Sequence, residues 1–119
     1  MLKNKLSPEE TQTRQENLLD LAKSILNGQM QIAPGCLQIQ QLLFDLSLDV
    51  DKEFIIFTGF NSETDRFPLG QERSLWNQDS LKDKDKELAR IEEFYKQQIF
   101  LACQAIINKF SSNLKNDSA

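Results

Sequence analysis

Two thiols, Cys36 and Cys103, and two adjacent carboxylates, Glu92 and Glu93, are the side chains with the most evident chemistry in this sequence. The chain has no histidine, which excludes Ser-His-Asp and Cys-His mechanisms and removes most metal sites. A general acid or base at neutral pH would then be a carboxylate, lysine, tyrosine or thiol with a shifted pKa, and such a shift needs burial or a charged neighbour. Glu92 and Glu93 flank an apolar stripe and read as a solvated helix edge. The cysteines lie far apart and form no C-x-x-C pair, so they read as reduced, buried small side chains. A bridge between them stays open, because sequence does not give their distance. No catalytic residue is assigned.

Metal and phosphate chemistry fare no better. Asp49-Val50-Asp51-Lys52-Glu53 and Asp83-Lys84-Asp85-Lys86-Glu87 copy the opening charges of a calcium loop. Phe54 and Leu88 stand where the loop's sharp turn needs glycine, and the interleaved lysines repel a cation. Glycines 28, 35, 59 and 70 form neither a dinucleotide fingerprint nor a phosphate loop. Lys82, Lys86 and Arg90 align at helical spacing as a thin basic stripe. With Lys+Arg at 14 against Asp+Glu at 18, however, the net charge of -4 gives no basic footprint for nucleic acid. The expectation is therefore no metal, no cofactor and no nucleic acid.

Five aromatic residues, Phe54, Phe57, Phe60, Phe67 and Trp76, crowd one short segment that otherwise looks irregular. They either cover the open side of a helical layer or form a groove for a partner helix or small ligand. They are the candidate ligand or partner surface.

The elements that would position these groups are helical. A length of 119 residues suits one domain, and 39% hydrophobic residues suffice for a core. Four glycines and three prolines are too few for the turns of an all-β fold. Ser7-Pro8-Glu9-Glu10 spells a helix start: a serine cap, proline at the first position and glutamate at the third. Leu18, Leu21, Ala22 and Ile25 follow as a stripe, and Asn27-Gly28 stops it. A second helix is expected after Ala33-Pro34-Gly35, with Cys36, Ile39, Leu43 and Leu46 on one face and an end near Leu48. The short connection favours an antiparallel hairpin.

Residues 54–57 could be helix or strand. A lone strand leaves its backbone unpaired, so a short helix is preferred, followed by a loop from Thr58 to Gln71. Ser74 to Gln78 is expected as a helical turn that buries Leu75 and Trp76. The last helix should start near Asp79 or Ser80 and run to about Phe110. Its face is Leu88, Ile91, Tyr95, Ile99, Ala102, Ile106 and Phe110, with Glu92 and Lys96 as a favourable i,i+4 pair. Phe94, Leu101, Cys103 and Ile107 fall off that face, so this helix should be contacted on more than one side. The architecture expected is all-α: a small three-to-four helix bundle, with a helical hairpin packed on a long C-terminal helix. Residues 1–110 form the single helical domain, and residues 111–119 a flexible polar tail. Met1-Leu2-Lys3-Asn4-Lys5-Leu6 is basic but precedes polar residues, so no signal peptide is expected, and no apolar run reaches the ~18 residues of a membrane span.

The stretch Ile32-Ala33-Pro34-Gly35-Cys36-Leu37-Gln38-Ile39, followed by Leu42-Leu43-Phe44-Asp45, resembles an E-G-C-I-R-I-x-x-L-L-D-like motif. That motif belongs to an uncharacterised, largely gammaproteobacterial family of unknown function. A charged helix start with a following glutamate, here Lys84-Asp85-Lys86-Glu87-Leu88-Ala89-Arg90-Ile91-Glu92, is similar to a second family feature, and the resemblance covers about residues 15 to 108. Pro34 and Gln38 depart from the Glu and Arg of the motif, so no ion pair between those positions carries over. Gly35 and Cys36 do carry over: the glycine implies a tight approach at the helix start, and the cysteine a side chain packed beneath it. Members of the family usually begin with a membrane-spanning helix. The resemblance thus implies a soluble relative, or the cytoplasmic part of a membrane-anchored one. The function expected is a non-enzymatic helical interaction module that binds a protein partner or itself. The alternatives are a small apolar ligand or lipid-binding module and, last, an enzyme.

Overall fold

Ser7 and Glu10 set the beginning of the first helix, α1 (Pro8–Leu26). Glu10 N–H donates to Ser7 Oγ at 3.1 Å, and Ser7 N–H donates to Glu10 Oε1 at 3.0 Å. Two of the amide donors left without helical partners are thereby satisfied reciprocally. The structure is a computed structural model that describes residues 5–118, with side chains as far as Ser111. Residues 1–4 of the basic start, Ala119, and the side chains of the expected tail beyond Ser111 lie outside that description.

Three further α-helices follow: α2 (Ile32–Asp45), α3 (Ile55–Thr64) and α4 (Gln78–Ser118), with a 3₁₀ turn over Gln71–Leu75. Among the described residues there is no strand. Helices α1 and α2 end in the same way. Gly28 N–H donates to Ile25 C=O and Gln29 N–H to Ser24 C=O; Ser47 N–H donates to Phe44 C=O and Leu48 N–H to Leu43 C=O. This paired pattern turns the chain through one left-handed residue. At α1 that residue is Gly28 (φ 76), which adopts it freely, and at α2 it is Ser47 (φ 60), which does not. Helix α2 therefore closes at Asp45 rather than near Leu48. It also opens earlier than its Pro-Gly suggests: Ala33, Pro34 and Gly35 lie inside its first turn, where a proline's missing N–H removes no helical bond.

Helix α1 packs on α2 and α4, and α3 packs on α2 and α4, so the four helices form a ring with α2 and α4 at opposite corners. The hairpin is antiparallel. Gly35 meets Ile25 at the joint, and Arg14 near the start of α1 bonds Asp45 at the end of α2 at 3.2 Å. One core runs through the ring, formed by Leu18, Ala22, Ile25, Cys36, Ile39, Leu43, Phe54, Phe57, Phe60, Ile99, Cys103, Ile106 and Phe110 among others.

Other segments differ from expectation as well. Thr58–Thr64, expected as loop, completes α3. Phe57, Phe60, Asn61 and Thr64 recur at helical spacing and are all buried, and Asn61 finds tertiary partners that outweigh its turn preference: Nδ2 donates to Cys36 C=O at 3.0 Å and Gln40 Oε1 at 2.6 Å. Leu75 and Trp76, expected to be buried, are 86% and 36% exposed. The 3₁₀ turn that carries them is fastened through Arg73 instead, which leaves both side chains outside the core. Helix α4 starts on Asn77, whose Oδ1 accepts from Ser80 N–H at 2.8 Å. It takes the role expected of Ser80, and the helix continues past Phe110.

Candidate functional site

The five aromatic residues do not form one surface. Phe54, Phe57 and Phe60 are fully buried and belong to the common core, with Phe60 edge-on to Tyr95 at 5.5 Å between ring centroids. Phe67 is also buried, under the Arg66 guanidinium at 4.5 Å and the Lys84 ammonium at 5.7 Å. Only Trp76 faces solvent.

Gly35 and Cys36 lie in the first turns of α2, on the side turned to α1 and the core. A Cβ on Gly35 would lie 2.8 Å from Ile25 Cδ1 and 3.0 Å from Ile25 Cγ1, so the absence of a side chain lets α2 close on α1. Cys36 lies fully buried beneath this contact, and Cys103 is buried too; both are free thiols. Burial pushes the Cys36 thiol far up, with Cys103 and Glu92 adding to it, and burial pushes Cys103 up to about 12. A thiol held protonated is a poor nucleophile.

Glu92 is the one carboxylate that the fold sets apart. It projects from the middle of α4 to the start of α2, where no side chain of α2 itself caps the helix. Glu92 Oε2 accepts from Ala33 N–H at 3.2 Å. Burial raises its carboxyl above the ordinary value, and the Ala33 hydrogen bond opposes that in part. Glu93 points outward and is exposed.

Beside Glu92 lies a groove of about 790 Å³, bounded by the α1–α2 joint, the 3₁₀ turn and one flank of α4. Ile25, Met30, Ile32, Leu69, Leu88 and Phe100 supply its apolar wall, and none of the five sequence-selected aromatic residues lines it. Four charged residues reach it: Arg73, Asp85, Glu92 and Lys96. Arg73 grips Asp85 through two bonds of 2.9 Å, which hold the Asp85 carboxyl below its usual range. Sequence reading picked out Glu92 and Lys96 by spacing alone. The groove has no such local signal, because its walls come from three separate segments, within residues 25–34, 69–73 and 85–100.

The opposite side of α4 has a different character. Phe94 is 75% exposed and Leu101 is 67% exposed. Seven residues apart, they share one face, and at about 100° per residue that face is turned about 120° from the core stripe. From Gln97 to Asn108 the helix carries no charged residue at all. Among the described residues no cluster of His, Cys, Asp or Glu could hold a metal, and no helix is long and apolar enough to cross a membrane.

A family model described as a protein of unknown function (DUF2489) matches residues 2–106. No curated protein and no solved structure matches the chain significantly.

Proposed function

We propose a self-associating, non-enzymatic helical interaction module for this chain, which belongs to the DUF2489 family of unknown function. The observation that carries the reading is the outer face of α4: two large apolar side chains, Phe94 and Leu101, stand in solvent, Leu101 within the charge-free stretch from Gln97 to Asn108 and Phe94 just before it. A helix face turned only to water ordinarily carries charges, and their depletion around an apolar or aromatic centre is what marks the middle of an interface. The face is also complementary to itself. Phe94 and Leu101 are equidistant from the midpoint between Gln97 and Gln98, so an antiparallel two-fold pairing of α4 sets each Phe94 against the partner's Leu101. The glutamines meet at the axis, where their amides both donate and accept.

The absence of histidine and the protonated, buried thiols support the non-enzymatic part of the reading. Sedimentation velocity over a wide concentration range tests the pairing. The wild-type chain should shift from monomer to dimer with concentration, and Leu101→Glu, which puts a charge at an exposed position, should remain monomeric with an unchanged helical circular dichroism spectrum. A wild-type chain that stays monomeric throughout, or a Leu101→Glu chain that still pairs, overturns the reading.

A further inference from the structure

Glu92 and Lys96 stand one turn apart on the groove flank of α4, about 6 Å along the axis, a spacing at which Glu and Lys ordinarily pair with each other. Here they turn away from each other. Glu92 Oε2 faces Ala33 N–H, while Lys96 Nζ lies over the Phe100 ring at 5.7 Å. Neither enters an ion pair among the described residues. The other two charged groups on the wall, Arg73 and Asp85, satisfy each other. The groove therefore presents one carboxylate and one ammonium without ionic partners, side by side, against apolar surface from both helices of the hairpin joint and from α4.

We propose that this groove binds a small zwitterion with an apolar body, the chemical class of the apolar α-amino acids, with the ligand ammonium on Glu92 and its carboxylate on Lys96. Charge balance selects this class. A singly charged amphiphile, such as a fatty acid or an alkylamine, would satisfy one of the two groups and set its own charge beside the like charge of the other. A zwitterion satisfies both, and its side chain then lies against Ile25, Met30 and Ile32. A volume of about 790 Å³ falls within the usual range for small-molecule sites. The groove lies on a different flank of α4 from Phe94 and Leu101, so its occupancy is independent of pairing.

Titration of the isotope-labelled full chain, followed by NMR, tests the proposal with four probes: L-leucine, L-phenylalanine, 3-methylbutylamine and 4-methylpentanoate. The two amino acids should saturate and shift the methyl signals of Ile25, Met30 and Ile32, and each half-probe should bind at least about tenfold more weakly. Glu92→Gln keeps an acceptor for Ala33 N–H, and Lys96→Met keeps the aliphatic stem. Each should weaken leucine binding about tenfold. A half-probe that binds as tightly as leucine, shifts confined to residues outside the groove, or no saturation up to the solubility limit of the amino acids overturns the proposal. The probe series on the wild-type chain decides even if a variant fails to fold.

Discussion

Replacing Gly35 by alanine tests the close approach of α2 to α1. In a helix interior with free space, glycine to alanine stabilises by about 1 kcal/mol. At Gly35 the added methyl would sit 2.8 Å from Ile25 Cδ1, 3.0 Å from Ile25 Cγ1 and 3.4 Å from Met30 Sδ. Ile25 is 2% exposed and wedged in the core, so its side chain cannot swing aside freely. Overpacking of this kind costs about 1–3 kcal/mol. The two effects oppose each other, and the second is the larger: Gly35→Ala should destabilise by roughly 1 kcal/mol net. Gly59, inside α3, provides the control. A Cβ there meets nothing within 4 Å, so Gly59→Ala should stabilise by about 0.5–1 kcal/mol. Urea denaturation of both variants gives the two signs directly.

The double variant Gly35→Ala with Ile25→Val sharpens the test. Valine lacks the Cδ1 that the new methyl would strike, so the two changes should partly cancel, although Ile25→Val alone costs about 0.5–1.5 kcal/mol. Simple addition within about 0.5 kcal/mol, or a Gly35→Ala chain more stable than wild type, would refute the packing argument.

Other outcomes can be checked with the same material. Because burial raises Glu92 above its ordinary value, the folded state retains this proton at pH values where the unfolded chain has lost it. Its contribution is then fully present below the ordinary carboxylate range and is lost as pH rises through the raised value. The stability of Glu92→Gln relative to wild type should therefore increase as pH rises from the ordinary carboxylate range through the raised value in urea melts, and a pH-independent difference would contradict this. Cys36 and Cys103, both buried and both held protonated, should react with an aromatic disulfide reagent only at the rate of unfolding; labelling at the rate of a free thiol in native buffer would show an open site. Ser47→Gly should stabilise by about 1 kcal/mol, since Ser47 holds φ 60 to end α2; an unchanged denaturation midpoint would remove that strain from the account.

Much of the helical layout was legible because local signals agreed with the tertiary packing. The Ser7–Glu10 cap, the Leu18–Ile25 stripe and the α4 stripe from Leu88 to Phe110 each describe one helix and one buried face, and the fold adds nothing that opposes them. The misreadings lie where local and long-range preferences conflict. Gly59, Asn61 and Ser62 favour a loop by themselves, yet the Asn61 amide nitrogen donates twice to α2, and Phe57, Phe60 and Thr64 need a helix to reach the core together. Trp76 and Leu75 look like core residues by composition, but the 3₁₀ turn that carries them is held by the Arg73–Asp85 pair. The groove had no local signature, because Ala33 and Glu92 meet across 59 positions of sequence. Even the Glu92–Lys96 spacing pointed to a self-satisfied pair, which the α2 amide undoes.

The ring in which each helix leans on two neighbours has a bearing on how the chain tolerates interruption. The first and last helices are in contact with each other, which closes the ring. A single cut in the exposed 3₁₀ segment opens the covalent path between α3 and α4 but leaves α4 docked on α1, and α3 docked on both α2 and α4. The two pieces remain held by interfaces that do not depend on the severed link. What holds the two pieces is the order of the helices around the ring, not the covalent link between α3 and α4.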